Sequence, residues 1–246
     1  MRILFVGETW ITRTAHIKGL DYFEQFGYGC GTEWIQRAVE DAGHTFDHLP
    51  SHLAIDSFPS AEKLKEYDVV FFSDIGSNTL LLSTETMMQS KPGANHLEDV
   101  REYVRNGGGF AMIGGYMSFQ GIEGKARYAG TPIEDLLPVR LLDHDDRTER
   151  PEGAVPKVVA EHEVVSGLPK EWPVLLGYNK VLPKDGGKVL VTCGDDILIA
   201  AGEYGKGRSM VFTSDCAPHW APPEFLNWEG YGKLWASAIQ WLGSNH

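Results

Sequence analysis

Side chains that can do chemistry follow four apolar runs of this 246-residue chain. The four sets are Glu8 and Thr9, Asp74 to Asn78, Tyr116 to Gln120, and Asp215 to Trp220. They contain carboxylates, hydroxyls, an imidazole and aromatic rings, which are groups that bind small polar molecules and transfer protons. If the runs are strands of one open α/β sheet, the sets meet beyond the carboxyl ends of those strands, where such sheets bind ligands. The sequence therefore predicts one crevice for a small-molecule ligand, formed by Glu8, Thr9, Asp74, Gly76, Gly115, Gln120, Asp215 and Trp220.

The most informative stretch is GGGFAMIGGYMSFQG, residues 107–121. An apolar strand that runs into glycines and then a small polar residue is typical of a nucleophile elbow, a sharp turn that holds a nucleophile beside backbone N–H donors. Alternatively, Gly114 and Gly115 only allow tight packing of the strand against the next segment. The residues of this stretch leave both interpretations open.

These sets depend on strands that alternate with helices. Apolar runs predict strands from Arg2 to Val6, His44 to Leu49, Asp68 to Ser73 and Gly109 to Gly114. Between them, the patterns predict a long loop, a helix from about Thr32 to Gly43, a short helix from Ser60 to Glu66 and a helix from Asn95 to Asn106. A further helix begins at Thr131 and ends before Pro138. Such alternation is typical of a parallel sheet covered by helices.

The C-terminal half has a different pattern. Leu141 to Pro151, with the run HDD at 144–146, is expected to be a solvated loop because it is rich in charged residues and histidine. Short strands joined by GDD and EYGKGR turns predict antiparallel hairpins, and a helix from about Trp228 ends at Gly243. No linker or repeat interrupts the chain, so we expect one domain over residues 1–246.

Composition excludes several classes of partner. The formal net charge of −12 would repel a phosphate backbone, so we expect no nucleic acid partner. No apolar run approaches the roughly 20 residues that a membrane-spanning helix needs, so we expect no membrane partner. Three cysteines cannot form a complete disulfide set, which favours a reducing compartment and predicts a cytoplasmic protein.

The chain resembles the class I glutamine amidotransferase-like superfamily, in its divergent branch of glutamine amidotransferase-like and trehalose-utilisation-like proteins. The resemblance covers the whole chain and depends on GETW, VVFFSDIG, NGGGFAMIGGYMSFQG, HEVVSGLP and SDCAPHW in this order. It implies an α/β, flavodoxin-like three-layer sandwich whose mostly parallel sheet has an antiparallel C-terminal extension.

The resemblance does not carry over to glutamine hydrolysis by the ordinary mechanism. The family elbow is similar to G-x-C-x-G-x-Q, and here Tyr116 stands in place of the cysteine, Ser118 in place of the second glycine, and Gln120 matches. A phenol is a poor substitute for a thiol, because its ordinary pKa is about 10. The family His-x-Glu pair maps to His219 and Ala221, so Asp215 or Glu224 would have to supply the missing carboxylate.

Two other nucleophiles are conceivable. Ser118 could attack if His219 came within hydrogen-bond reach as its base, with backbone N–H groups near Tyr116 as oxyanion donors. Cys216 lies three residues before His219, although a lone cysteine after a buried strand usually behaves as a small hydrophobe. We predict Ser118, His219 and Tyr116 as the catalytic set.

We expect no cofactor and no bound metal. Glu8, Asp74, Asp215 and His219 are suitable ligand types, but no H-x-x-x-H or C-x-x-C spacing joins them. Two functions remain open: a hydrolase-type enzyme with a non-standard nucleophile, and a non-catalytic domain that binds a small molecule or carbohydrate and forms a homo-oligomer.

Overall fold

The computed structural model describes residues 1–244. Its strands are β1 Arg2–Gly7, β2 Thr9–Lys18, β3 Asp21–Cys30, β4 Thr45–Leu49, β5 Val69–Ser73, β6 Gly109–Ile113, β7 Val139–Arg140, β8 Arg147–Ala154, β9 Pro156–Val158, β10 Leu175–Asn179, β11 Leu182–Pro183, β12 Lys188–Cys193, β13 Asp196–Tyr204 and β14 Gly207–Phe212. Its α-helices are α1 Glu33–Asp41, α2 Ser51–Ser57, α3 Ala61–Leu64, α4 Ser77–Leu81, α5 Thr84–Gln89, α6 His96–Arg105, α7 Pro132–Leu136, α8 Pro223–Leu226 and α9 Glu229–Gly243.

An eight-stranded sheet forms the centre of the molecule, in the order β4-β1-β5-β6-β14-β13-β12-β9. The five strands from β4 to β14 run parallel, whereas β13, β12 and β9 each pair antiparallel to their neighbour. This confirms the predicted α/β fold with a mostly parallel sheet and an antiparallel C-terminal extension. The carboxyl ends of β1, β5, β6 and β14 therefore lie side by side along one edge.

Helices cover both faces of the sheet because the central strands are apolar on both sides. All five residues of β5, VVFFS, are buried. On one face α1 and α9 contribute Ile35 and Trp235 to the core, and on the other α6 contributes Leu97 and Val100. As predicted, α6 has Asn95 as its N-cap, and the Asn95 side chain accepts a hydrogen bond from the nitrogen of Glu98.

The loop expected before Thr32 is wrong, since most of it is a long hairpin. Strands β2 and β3 pair antiparallel over all ten residues, from Thr9 with Cys30 to Lys18 with Asp21. Gly19 opens the two-residue turn with a φ of 67°, which glycine adopts without steric cost. The hairpin was missed because most of its residues are exposed, so no single buried face marks it as a strand pair.

The prediction of a solvated loop from Leu141 to Pro151 is also wrong in part. Arg147–Ala154 forms β8, which pairs with β10. Asp146 is 1 % exposed, because its carboxylate accepts three hydrogen bonds that replace its hydration.

No helix within residues 1–244 is long and apolar enough to cross a membrane. The expected single domain over residues 1–246 stays a prediction, and its last two residues lie outside the described range.

Candidate functional site

Three site residues sit on strained backbone at the carboxyl edge of the sheet. Glu8 directly follows β1 with a φ of 55°, and Asp74 directly follows β5 with a φ of 44°. His219, in the segment after β14, has a φ of 150°. Non-glycine residues with positive φ cost of order 1–3 kcal/mol each and cluster at functional sites. Their common position therefore marks this edge as the candidate site.

The floor of the site is a buried group of polar side chains. The Ser73 hydroxyl donates a hydrogen bond of 2.5 Å to Glu8 Oε2 and lies 3.5 Å from Cys216 Sγ. Cys216 Sγ lies 3.9 Å from the same Glu8 oxygen. Asp215 is 5 % exposed, and its Oδ1 accepts a hydrogen bond of 3.0 Å from the nitrogen of Ala217. Two carboxyl groups and a thiol thus share one nearly dry volume.

The elbow after β6 closes around Asp74. Asp74 Oδ1 accepts a hydrogen bond of 2.6 Å from the Met117 nitrogen, and the Asp74 nitrogen donates one of 3.1 Å to Ser118 Oγ. A Cβ at Gly115 would lie 2.8 Å from Asp74 Oδ1, so this position requires glycine. The Gly115 nitrogen donates to Asn179 Oδ1 at 3.0 Å. Two backbone N–H groups of the elbow are therefore already bonded to side chains of the protein.

Aromatic rings form the outer rim. The Tyr116 and His219 rings lie 4.3 Å apart edge to face, and His219 stacks on Trp220 at 5.2 Å. Glu149 holds the rim from outside: its Oε1 accepts from the Tyr116 hydroxyl at 3.1 Å and its Oε2 accepts from Trp220 Nε1 at 2.9 Å. The Arg147 guanidinium lies 5.1 Å from the Tyr116 ring centre. The tyrosine hydroxyl is thus held toward Glu149.

A buried carboxylate supports the elbow from behind. Asp146 accepts hydrogen bonds from the backbone nitrogens of Gln120 and Gly121 at 2.8 and 2.9 Å. It also accepts one of 2.8 Å from the Asn179 side chain, which in turn binds Gly115. Because every partner is buried, this network fixes the position of the elbow.

Burial shifts the protonation of the site groups. Burial and the charge of Asp74 raise the pKa of Glu8 to about 8, so the Glu8 carboxyl holds its proton at neutral pH. Burial also raises the pKa of Asp74, and burial with the charges of Glu8 and Asp74 raises the pKa of Asp215. Burial lowers the pKa of His219, which favours the neutral imidazole. Perturbed groups in one crevice are a signature of a functional site.

Neither the Tyr116 phenol nor the Cys216 thiol is activated. Burial and the hydrogen bond to Glu149 raise the pKa of Tyr116. Burial and the charge of Glu8 raise the pKa of Cys216 well above the usual value for a thiol. A nucleophile needs a lowered pKa or an adjacent base, and these two groups have the opposite environment.

Glu8, Asp215 and Cys216 are the site residues that could hold a metal ion, since one ligand atom from each lies within 4.8 Å of the others. The thiol would have to lose its proton on binding, which its burial opposes. The expectation of no metal and no cofactor stays a prediction.

The structure brings most of the predicted crevice residues to one place. Glu8, Asp74, Gly115, Tyr116, Asp215, His219 and Trp220 lie together at this edge of the sheet, through the contacts given above. Asp215 Oδ2 lies 3.9 Å from His219 Nδ1, and the charges of Glu149 and Asp74 also act on this histidine. The catalytic and binding roles of these residues stay predictions.

Three predicted residues have structural contacts instead. Ser118 is 1 % exposed and accepts its hydrogen bond from Asp74, and no hydrogen bond within residues 1–244 joins it to His219. Thr9 Oγ1 accepts from the Ser51 nitrogen at 2.8 Å. Gln120 Oε1 accepts from the Ala129 nitrogen at 3.3 Å. Gly76, also predicted, is buried with Met117 Cε 2.9 Å from where a Cβ would lie.

Sequence reasoning missed Glu149, Arg147, Asp146 and Asn179. The first three lie in or beside the charged run that was interpreted as solvated surface. Asn179 ends β10 without any motif. RTERPEGA shows no regular alternation of charged and uncharged residues, and four consecutive residues of this strand are exposed, so the sequence offered no strand signal there.

The fold is that of a glutamine amidotransferase-type α/β domain, with Tyr116 at the elbow after β6. The chain belongs to the GATase1-like family described as "Putative glutamine amidotransferase", whose model matches residues 2–244.

Solved structures agree with this family. Cytoplasmic protein STM3548 from Salmonella typhimurium is 44 % identical, with a TM-score of 0.95 over 98 % of this chain and 99 % of that chain. Cytoplasmic protein STM1381 from Salmonella typhimurium LT2 is 40 % identical, with a TM-score of 0.94 over 98 % and 99 % of the two chains. A ThuA-like protein from Parabacteroides merdae is 12 % identical with a TM-score of 0.63 over 99 % and 90 %, which shows a shared fold alone. A comparison with curated proteins found no match.

Proposed function

We propose that the crevice binds a small, neutral, hydroxyl-rich molecule of the carbohydrate class and does not hydrolyse glutamine. The observation that carries this proposal is the hydrogen bond from the Met117 nitrogen to the Asp74 carboxylate. In an amidotransferase elbow, N–H groups near the nucleophile stabilise the oxyanion of the tetrahedral intermediate. A carboxylate bonded to such a group opposes a second negative charge beside it.

The chemistry of the crevice suits hydroxyl groups. Protonated Glu8 and neutral His219 can each donate and accept hydrogen bonds, while Tyr116 and His219 offer ring faces to an apolar sugar surface. The net charge of −12 disfavours anionic ligands. His219, with its side chain 39 % exposed, is the accessible part of this set.

A binding experiment tests this proposal. Purified protein would be titrated calorimetrically with glucose, galactose, trehalose and glucosamine, beside glutamine as the family substrate. We expect heat of binding with at least one sugar, loss of that heat in His219→Ala, and no ammonia release from glutamine. His44→Ala, just before β4 at the opposite, amino end of the sheet, is the control and should bind like the natural protein. Absence of binding to every sugar would contradict the proposal.

A second candidate function is a hydrolase with His219 as general base. It is favoured by the 3.9 Å approach of Asp215 Oδ2 to His219 Nδ1, which would orient the ring with its other nitrogen toward the crevice. Water would then be the attacking group: its proton goes to His219 and its oxygen bonds to the carbonyl carbon of the amide or ester. The bond from that carbon to the leaving nitrogen or oxygen then breaks, and His219 returns the proton to the leaving amine or alcohol. Glutaminase or esterase turnover that falls in His219→Ala but survives in Ser118→Ala would favour this candidate over sugar binding alone.

We also propose that the protein is cytoplasmic. The odd number of cysteines and the three free thiols support a reducing compartment. The two relatives at 44 % and 40 % identity are both named as cytoplasmic proteins.

A further inference from the structure

The hairpin of β2 and β3, here called the arm, projects from the rest of the molecule over most of its length. Its residues from Trp10 to Tyr28 are exposed except for His16 and Glu24, which are half-buried. Its base is tied to the body of the molecule: the Ser51 nitrogen and hydroxyl bind Thr9, and the Tyr28 ring contacts the His52 ring at 5.6 Å. A two-stranded hairpin is at best marginally stable in water on its own. The arm therefore needs a partner surface.

The two faces of the arm differ in character. Directly opposed residues of an antiparallel pair point to the same face, so Trp10, Thr12 and Thr14 share one face with Gly29, Gly27 and Gln25. On that face the Trp10 ring lies over Gly29, because a Cβ at Gly29 would lie 2.2 Å from the ring. Phe23 also lies on this face, stacked on the His16 ring, and Phe23 and Trp10 are 45 % and 43 % exposed, less than the large apolar side chains of the other face.

The opposite face, here called the apolar arm face, consists of Ile11, Ile17, Tyr22, Phe26 and Tyr28, with Arg13, Ala15 and Glu24 among them. Its five large apolar side chains are 58–77 % exposed. Since a buried aromatic side chain covers about 150–250 Å², they present on the order of 800 Å². That is about the area that each partner contributes to a stable protein–protein interface.

We propose that the apolar arm face packs against the same face of a second copy of this chain, forming a homodimer. The two ends of this face carry the same pair of residue types. Ile11 pairs with Tyr28 at the base and Ile17 pairs with Tyr22 at the tip, with Arg13 and Glu24 between them. A second arm packed antiparallel about a two-fold axis sets the base pair of one copy against the tip pair of the other. Self-complementarity of one patch is what a two-fold interface requires.

Charge also favours a second copy as the occupant. The arm, residues 9–30, carries Arg13 and Lys18 against Asp21 and Glu24, so its formal net charge is zero. The whole net charge of −12 then lies on the rest of the chain. Two copies can meet through neutral arms while their acidic bodies stay apart. An anionic lipid surface would instead require an excess of basic residues on this face.

A matched pair of double variants tests the proposal in the full-length chain. Ile17→Glu with Tyr22→Glu places two carboxylates on a cross-strand pair of the apolar arm face. Thr14→Glu with Gln25→Glu places the same charge on a cross-strand pair of the opposite face, so any loss of hairpin stability is equal. Sedimentation velocity would report the mass of each protein between about 1 and 100 μM, and circular dichroism would report folding.

We expect the natural chain and the Thr14/Gln25 variant to sediment as dimers, with twice the 27.3 kDa mass of the chain. The Ile17/Tyr22 variant should be a folded monomer, its dissociation constant raised at least about 100-fold by the loss of two of the five apolar anchors. A monomeric natural chain, or equal dissociation of both variants, would overturn the proposal. So would co-sedimentation of a monomeric chain with vesicles of phosphatidylcholine and phosphatidylserine, which would assign the face to lipid.

Discussion

The Asp74 carboxylate and the Met117 backbone nitrogen are joined by a hydrogen bond of 2.6 Å at the elbow after β6. The contact places a carboxylate beside a backbone N–H that an acyl-transfer enzyme would keep free to stabilise an oxyanion. Under the proposed function, the tyrosine at position 116 and this carboxylate both oppose glutamine hydrolysis.

This arrangement predicts that restoring the thiol alone does not restore glutamine hydrolysis. We expect Tyr116→Cys to release ammonia from glutamine at the background rate, since Met117 stays bonded to Asp74. Adding Asp74→Ala frees the Met117 N–H and should raise turnover by about 100-fold, the typical contribution of one oxyanion donor. Turnover by Tyr116→Cys equal to that of the double variant would show that the carboxylate is no obstacle.

Ser118 is expected to contribute to stability. Its Oγ accepts the hydrogen bond of the Asp74 nitrogen, which would be left without this partner after Ser118→Ala. We expect a loss of about 1–3 kcal/mol in the free energy of unfolding, the cost of one unsatisfied donor. Urea denaturation followed by tryptophan fluorescence measures this loss.

The control for Ser118→Ala is Ser57→Ala, at an exposed position of α2, which should unfold at the urea concentration of the natural protein. If Ser118→Ala keeps the stability of the natural protein but loses sugar binding or turnover, Ser118 acts directly on the ligand.

The sequence was sufficient for the sheet and for the edge where the site lies. Runs such as VVFFS are apolar without alternation, which only strands covered on both faces require. Once the strands are parallel, their carboxyl ends must lie at one edge: Glu8 and Asp74 directly follow two of those ends, and Asp215 lies three residues beyond a third.

The sequence was not sufficient for groups whose burial depends on distant partners. Asp146 lies in a charged run typical of surface, and it is buried only because Asn179, 33 positions away, and two elbow nitrogens bind it. The arm was missed for a related reason: its apolar side chains are exposed in a single chain, so they give no pattern of core packing.

Asp146 is accordingly expected to be essential for the stability of the elbow. Asp146→Ala leaves the nitrogens of Gln120 and Gly121 and the Asn179 amide without their acceptor. We expect a loss of about 3 kcal/mol or more in the free energy of unfolding, because each unsatisfied buried donor costs about 1–3 kcal/mol. Urea denaturation measures this loss.

Asp143→Ala removes an exposed carboxylate of the same run and is the control, with no change in unfolding expected. If both variants unfold alike, the network around Asp146 does not hold the elbow.

The protonation of Glu8 predicts an unusual dependence of stability on pH. Its pKa is about 8 in the folded protein, against an ordinary value of 4.5. Between these values the folded protein holds a proton that the unfolded chain releases. The stabilisation is therefore full below the ordinary pKa and is lost as the pH rises through 8. For one such group the slope is about 1.4 kcal/mol per pH unit.

Glu8→Gln isolates this contribution, since an uncharged amide has no proton to lose. Groups on which the charge of Glu8 does not act, such as His219 with its lowered pKa, titrate alike in both proteins, so the difference between the two unfolding free energies reports Glu8 together with its coupling to Asp215. We expect the natural protein to gain stability over Glu8→Gln as the pH falls from about 8 to about 5.5, by about 2–3 kcal/mol. Glu33→Gln, at an exposed glutamate of α1, should show no such divergence. A constant difference between the natural protein and Glu8→Gln across this range would mean that Glu8 is ionised in the folded state, and that the floor of the crevice carries a fixed negative charge.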